Sequence, residues 1–252
     1  MFNIIYSELI KLKKSYVLII ALFSGVVMPG VIFMADMASH RNQLVELTER
    51  VGFFEERVVD IDRISGLVIY IIIFSLIAAY VFSREYTDKT ANILYAYPIG
   101  RRKIFLGKLI TIYTLITVVY IIQVLTTYLS LYIVWGVLPS VKFISTDIKV
   151  NLYSMLLQFL LIPIPILIAN ITRNVIFPIV YGLLGDVIIV LLLGGGASIY
   201  SQFCPLTLPS LPLYHYHNGD PIDFVITIGC AVITFSVFMF LCIYQYSNAD
   251  ID

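Results

Sequence analysis

Arg84-Glu-Tyr-Thr-Asp-Lys-Thr-Ala-Asn-Ile-Leu-Tyr-Ala-Tyr-Pro-Ile-Gly-Arg-Arg-Lys-Ile-Phe-Leu-Gly-Lys108 is a polar, basic island between two apolar runs of membrane-spanning length. Its centre, Thr87 to Tyr97, suits a short helix. Pro98 and Gly100 end it, the first for want of an N–H donor and the second through its backbone freedom. Arg101, Arg102 and Lys103 follow and lead into the next apolar run. Such an island is what a membrane protein needs if a soluble partner is to push on it.

Working outward, the 252 residues are 60% hydrophobic and only 13% charged, with a mean hydropathy of +0.95. These values exclude an ordinary soluble globule and predict an all-α polytopic membrane protein. A net charge of zero argues against a general nucleic-acid binder. The chain reads as one domain, 1–252, and a helix crossing about 30 Å of hydrocarbon needs roughly 20 apolar residues. Its six spans are predicted near 16–35, 64–82, 104–132, 149–171, 175–193 and 222–245. Lysines before the first apolar run resemble a signal peptide, but the run is too long and lacks a small-x-small cleavage site, so it is read as retained.

Placing the N-terminus inside puts ten Lys and Arg on the cytoplasmic side and six outside, so both termini are expected to be cytoplasmic. Phe2, Ile5, Leu9, Leu12 and Tyr16 share one helical face, opposite Asn3, Ser7, Lys11 and Lys14. This predicts an N-terminal interfacial helix whose lysines, with Arg102, Lys103 and Lys108, reach anionic lipid; a plain polybasic tail is the alternative. Leu44, Leu47, Val51, Phe54, Val58 and Ile61 repeat at intervals of three and four, a seam that requires a partner outside the membrane. It reads as one long amphipathic helix, as two helical extensions turning at Gly52, or as a segment lying on the surface. Residues 194–221, with three glycines at the start and four prolines, cannot form a regular span and are expected to dip into or cover the outer membrane surface.

Few residues suit chemistry. Cys204, Cys230 and Cys242 read as apolar filler, and the chain has no phosphate-binding Gly-x-x-x-x-Gly-Lys-Ser/Thr loop, so ATP hydrolysis would need a second polypeptide. His215 and His217 beside Asp220 and Asp223 could contribute metal ligands, although loop histidines explain them equally, as with His40. Asp186 sits mid-span, where a carboxylate costs about 3 kcal/mol; it either lines a polar pathway and titrates or bonds a neighbouring helix beside Gly182 and Gly185. Gln123, Thr126, Thr127 and Ser130 share one side of the third span, as a substrate-facing wall or as interhelical packing. Pro163 and Pro165 should bend or break the fourth span and free carbonyls.

The island from Ser83 to Lys108 resembles the type-2 permeases of ATP-binding-cassette (ABC) exporters. The matching positions are Glu85, Thr90, Pro98, Arg101 and Lys108; the family often has Gly before the Thr, where this chain has Lys89. The six-span plan is similar over nearly the whole chain, and its size is similar to that of exporters for bacitracin resistance, lantibiotic immunity and phenol-soluble modulins. The resemblance implies a bacterial plasma-membrane permease without its own cofactor, paired with a second permease subunit and a cytoplasmic ABC ATPase that binds ATP and Mg. Its coupling helix would dock through Glu85, Tyr86, Thr87, Asp88, Thr90, Ile93, Leu94, Pro98 and Arg101. The substrate would be an amphipathic or antimicrobial peptide or a lipid-like drug, and no nucleic acid is implied. Rival readings are a secondary transporter driven by protons through Asp186, and a membrane scaffold or sensor that binds peptides.

Overall fold

A computed structural model describes residues 2–13, 15–39, 46–90, 100–194, 199–215 and 222–248. Its helices are α1 (Phe2–Lys13), α2 (Tyr16–Ser39), α3 (Leu47–Ile64), α4 (Tyr70–Thr87), α5 (Arg101–Trp135), α6 (Val141–Leu161), α7 (Pro163–Thr172), α8 (Ile176–Gly194), α9 (Ser210–His215) and α10 (Phe224–Asn248). Six helical stretches are long and apolar enough to cross a membrane: Tyr16–Ser39, Glu49–Thr87, Arg101–Trp135, Val141–Thr172, Ile176–Gly194 and Phe224–Ser247. These correspond to the six predicted spans.

Two of the spans run past the apolar residues that announce them. α3 joins α4 through one π-helical segment, Ser65–Ile69, so the second span continues well beyond the bilayer-length run. Gly52 lies exposed within α3 and makes no turn there. The predicted seam finds its partner in the far end of α5: Phe54, Val58 and Ile61 are fully buried against Leu131, Val134 and Trp135, with Phe53 stacked on Trp135 at 5.5 Å. Where water is the competing solvent, burying each such side chain contributes about 1.5–3 kcal/mol, an upper estimate.

Inside the lipid-length region apolar burial drives little, because lipid tails are as apolar as leucine; close approach and polar contacts hold the helices instead. Pro29 cannot donate to Gly25 O, and Thr126 Oγ1 of α5 lies 3.1 Å from that freed carbonyl. The same stretch lets α2 meet α5 closely, since a Cβ on Gly25 would stand 2.9 Å from Val119 O. At Pro163 the fourth span breaks between α6 and α7, and the carbonyl freed on Phe159 accepts from Tyr113 OH at 3.1 Å. Gly182 lets α8 press on the start of α4, where an added Cβ would lie 3.0 Å from Ile72 Cα.

The proline-rich stretch between α8 and α10 folds back into the bundle rather than over its rim. Its 3-10 turns (Ile199–Phe203 and Pro205–Thr207) and α9 bury Leu208, Leu211 and Leu213, and Leu206 reaches the level of Gly185, halfway down α8. Ser210 Oγ donates to Gly66 O at 2.7 Å, and Ser154 Oγ to Pro209 O at 2.7 Å. Asp223 serves as the cap of α10, accepting from Val225 N at 2.9 Å and Ile226 N at 3.2 Å. His40, His217 and Asp220, the other members of the histidine reading, lie outside the described residues, as does the side chain of His215.

Candidate transmission site

The end of the bundle that carries α1 is organised around one buried ion cluster. Lys108, on the first turns of α5, is 1% exposed; its Nζ donates to Glu85 Oε2 on α4 and to Val81 O at 2.9 Å. Lys11 of α1 reaches the same carboxylate at 3.4 Å while holding Glu8 Oε1 at 2.6 Å. Arg84 donates to Lys11 O at 2.9 Å and pairs with Asp88 at 3.2 Å. Three elements distant in sequence are thereby fastened at one point. Burial works against the charge of Lys11, but Glu8 and then Glu85 outweigh it and raise its pKa above the ordinary lysine value.

This cluster corrects two expectations about the inner face. Lys108 is not available to lipid headgroups, and Glu85 is 5% exposed and bound inward rather than presented to a docking partner. Lys11 is only partly exposed and turned toward acids, because α1 packs the face that carries Ile4, Glu8 and Leu12 rather than the purely apolar one. Tyr16, expected on the apolar face, is exposed. A helical wheel places Glu8 beside Lys11 but could not show the second acid, Glu85, 74 residues away.

Beyond Glu85 the chain leaves the bundle. α4 ends in a Schellman turn: Thr90 N donates to Glu85 O at 2.8 Å and Lys89 N to Tyr86 O at 3.2 Å, with Lys89 left-handed at φ 56°. A glycine would take that backbone conformation without a Cβ penalty. Thr87 therefore closes the spanning helix, with its Oγ1 on Ser83 O at 3.1 Å, instead of opening a separate short helix. Asp88, Lys89 and Thr90 are exposed, and Tyr86 lies half-buried beneath Arg173, whose guanidinium is 5.3 Å from the ring. Ile93, Leu94 and Pro98 lie outside the described residues, as does Lys14. Past these, Gly100 precedes α5, where Arg101 ties the helix to Ser247 O at 3.0 Å and Arg102 and Lys103 are exposed.

The chain that carries this cluster between its second and third spans has a match among known families. The model for ABC-2 family transporter proteins matches residues 4–189. The chain belongs to the ABC-2 transporter family. No curated protein matches it. As an ABC-2 permease it is a multi-pass membrane subunit that associates with an ABC ATPase, and ATP hydrolysis resides in that separate partner.

The remaining candidate residues of the permease separate into different environments. Thr126 and Ser130 line an apolar groove of about 230 Å³ between α2 and α5, with Val26, Phe33, Leu129 and Ile133. A second groove, about 350 Å³, lies between α5 and α6, walled by Ile121, Val124, Leu125, Ile148, Leu152 and Met155; Thr117 and Tyr120 also line it, with their hydroxyls bonded to Tyr113 O and Ser154 Oγ. Gln123 and Thr127 are buried instead of facing a groove; Thr127 Oγ1 has no hydrogen-bond partner, whereas Gln123 belongs to a polar network. In that network Gln123 Nε2 donates to Asp62 Oδ1 at 3.1 Å and its Oε1 accepts from Tyr70 OH. Asp186 is half-buried on α8, and its Oδ1 has no hydrogen-bond partner, so the close approach expected at Gly182 and Gly185 is present without a bond from Asp186.

Sequence reasoning missed Glu8, Asp62, Asp147 and Asn151. The available signal was a carboxylate or amide standing where helical periodicity assigns a buried position, as Asp62 does one residue after the seam position Ile61.

Proposed function

We propose that this permease is the membrane subunit of an ATP-driven exporter of amphipathic or antimicrobial peptides or lipid-like drugs. The α1 end, with both termini, faces the cytoplasm of a bacterial cell, and a second permease subunit completes the translocation unit. The segment from Thr87 through Arg101 docks in the partner ATPase, which holds ATP and Mg. One observation carries this reading: the exposed turn Asp88–Thr90 and the exposed pair Arg102 and Lys103 flank the segment, and its root is locked to α1 and α5 through Glu85 and Lys108.

Movement of the docked segment would pass directly into α4 and α5 as rigid bodies, since buried charge pairs resist separation. Glu85 acts here as a positioning residue rather than a docking contact. The substrate class is supported by the grooves on α5, whose exposed walls are almost wholly apolar.

Alanine at Tyr86, Ile93 and Leu94 should reduce copurification of the ATPase and nucleotide-dependent transport together; undiminished association and transport would reject the docking. A cysteine at Lys89 or Arg102 that reacts only with an external reagent would reject the orientation. Transport that continues without nucleotide but fails in Asp186→Asn would favour the proton-driven reading instead.

A further inference from the structure

Where the second, fourth and fifth spans meet the folded-back segment, the packing leaves a small interior hollow. It offers about 10 Å³, the room of a single water molecule and too little for a transported substrate. Two irregular points of the helices frame it. Gly66, in the π-helical segment, lines one side, and its carbonyl accepts from Ser210 Oγ at 2.7 Å. Leu161 and Pro165 line another, and residue 165, being proline, cannot give Leu161 O its usual helical donor.

The hollow differs in kind from the two grooves on α5. Their exposed walls are almost wholly apolar, whereas a large share of this wall is polar. Three polar side chains from three spans line it: Ser75 of α4, Gln158 of α6 and Tyr181 of α8. Ser75 is 2% exposed and Gln158 6%, so neither can turn out to bulk water. Lipid offers them no hydrogen bonds either. Among the described residues, none of these three side chains has a hydrogen-bond partner in the protein. A buried amide is costly when unbonded, and Gln158 brings two donors and an acceptor to satisfy.

We propose that this hollow is a water site, in which one buried molecule joins Ser75, Gln158 and Tyr181 and ties α4, α6 and α8 together beside the folded-back segment. A buried water makes about three hydrogen bonds. Here the amide can both give and receive and each hydroxyl can do either, so one molecule can serve all three groups. A monovalent cation fits the room but not the chemistry, because no carboxylate lines the wall to offset the loss of an ion's hydration. The site also bridges the π-helical segment of the second span and the proline break of the fourth. A water there serves polar groups that irregular helices expose and lipid cannot satisfy.

The purified full-length chain in lipid nanodiscs is given brief X-ray radiolysis, in which water lying against a side chain yields hydroxyl radicals that oxidise it, and the products are read by mass spectrometry. Tyr181 should be oxidised in wild type, with exposed Tyr6 as the dose reference. Gln158→Met keeps the size and removes the amide; it should cut Tyr181 oxidation several-fold relative to Tyr6 and lower the melting temperature. A dry hollow predicts the opposite sign, since the same substitution would then relieve an unbonded amide and raise the melting temperature. Ser75→Ala, a milder change that keeps the amide, should reduce the oxidation less and covers the case in which Gln158→Met does not fold. Unoxidised Tyr181 in wild type, oxidation unchanged in both variants, or a higher melting temperature for Gln158→Met would overturn the proposal. So would a melting temperature that rises when sodium replaces choline at equal ionic strength, if Gln158→Met abolishes the rise, since that would mark a cation site. Neither ATPase nor substrate enters these measurements, so their failure is separate from failure of the docking.

Discussion

The two ends of the permease solve one physical problem differently. Near α1, buried Glu85 is met by the cations of Lys108 and Lys11; at the far end, buried Asp62 and Asp147 are met by the amides of Gln123 and Asn151 and the phenol of Tyr128. The first end answers a buried charge with opposite charges, whereas the hydrogen bonds seen at the second come from uncharged amide and phenol donors. Separating opposite buried charges costs more than losing one hydrogen bond to an uncharged donor, so the first arrangement makes the stiffer joint.

The largest effect should come from breaking the joint. Lys108→Met leaves Glu85 buried without its closest cation and should destabilise the folded permease by about 3–5 kcal/mol, read from unfolding in detergent. Adding Glu85→Leu should restore most of that loss. If the double variant is as unstable as the single one, packing of the lysine stem rather than charge pairing holds this end.

A smaller effect is expected at the other end. Tyr128→Phe removes one donor from Asp147 Oδ2 and should cost about 1–3 kcal/mol, measured in the same way. A loss equal to that of Lys108→Met would erase the distinction between the two ends.

Lys89→Gly should sharpen the account of how α4 ends. At φ 56° a lysine carries a penalty of roughly 1–2 kcal/mol that glycine avoids, so the variant should melt higher without losing transport. An unchanged or lower melting temperature would mean that the turn is held by something other than backbone preference.

The smallest effect concerns Lys11, whose side chain is 35% exposed and so screened by solvent. Lys11→Met should cost no more than about 1 kcal/mol. Because the folded pKa of Lys11 is raised, its contribution is fully present below the ordinary value of 10.5 and is lost as pH climbs through the raised one. The gap in melting temperature between wild type and Lys11→Met should therefore hold from neutral to mildly alkaline pH and close only at higher pH.

Much of the architecture was legible along the chain. Apolar runs of bilayer length announce six spans, since a backbone in lipid must satisfy its own hydrogen bonds. The three-four repeat Phe54, Val58, Ile61 announced a buried face, and Pro163 announced the break in the fourth span with its freed carbonyl on Phe159. The candidate sites were less legible. Lys108 and Glu85 were recognisable as motif positions, but their bond to each other was not, because 23 residues and an intervening segment separate them. Gln123 and Thr126 share a side of α5 yet separate into a buried network and a groove wall, since neighbouring helices cover the two positions differently.

The amino-acid order alone determined that this chain spans a membrane with helices and carries a polar island between its second and third spans, because hydrogen-bond satisfaction and hydrophobic length are local properties. Only the tertiary structure decided which charges face one another. Lys11, Glu85 and Lys108 meet at one end, and Asp62, Asp147 and Asn151 at the other, where helix packing bonds Asn151 to Asp62 across 89 positions of sequence. A charge is stabilised by what stands a few ångströms away in space, and sequence distance does not encode that separation.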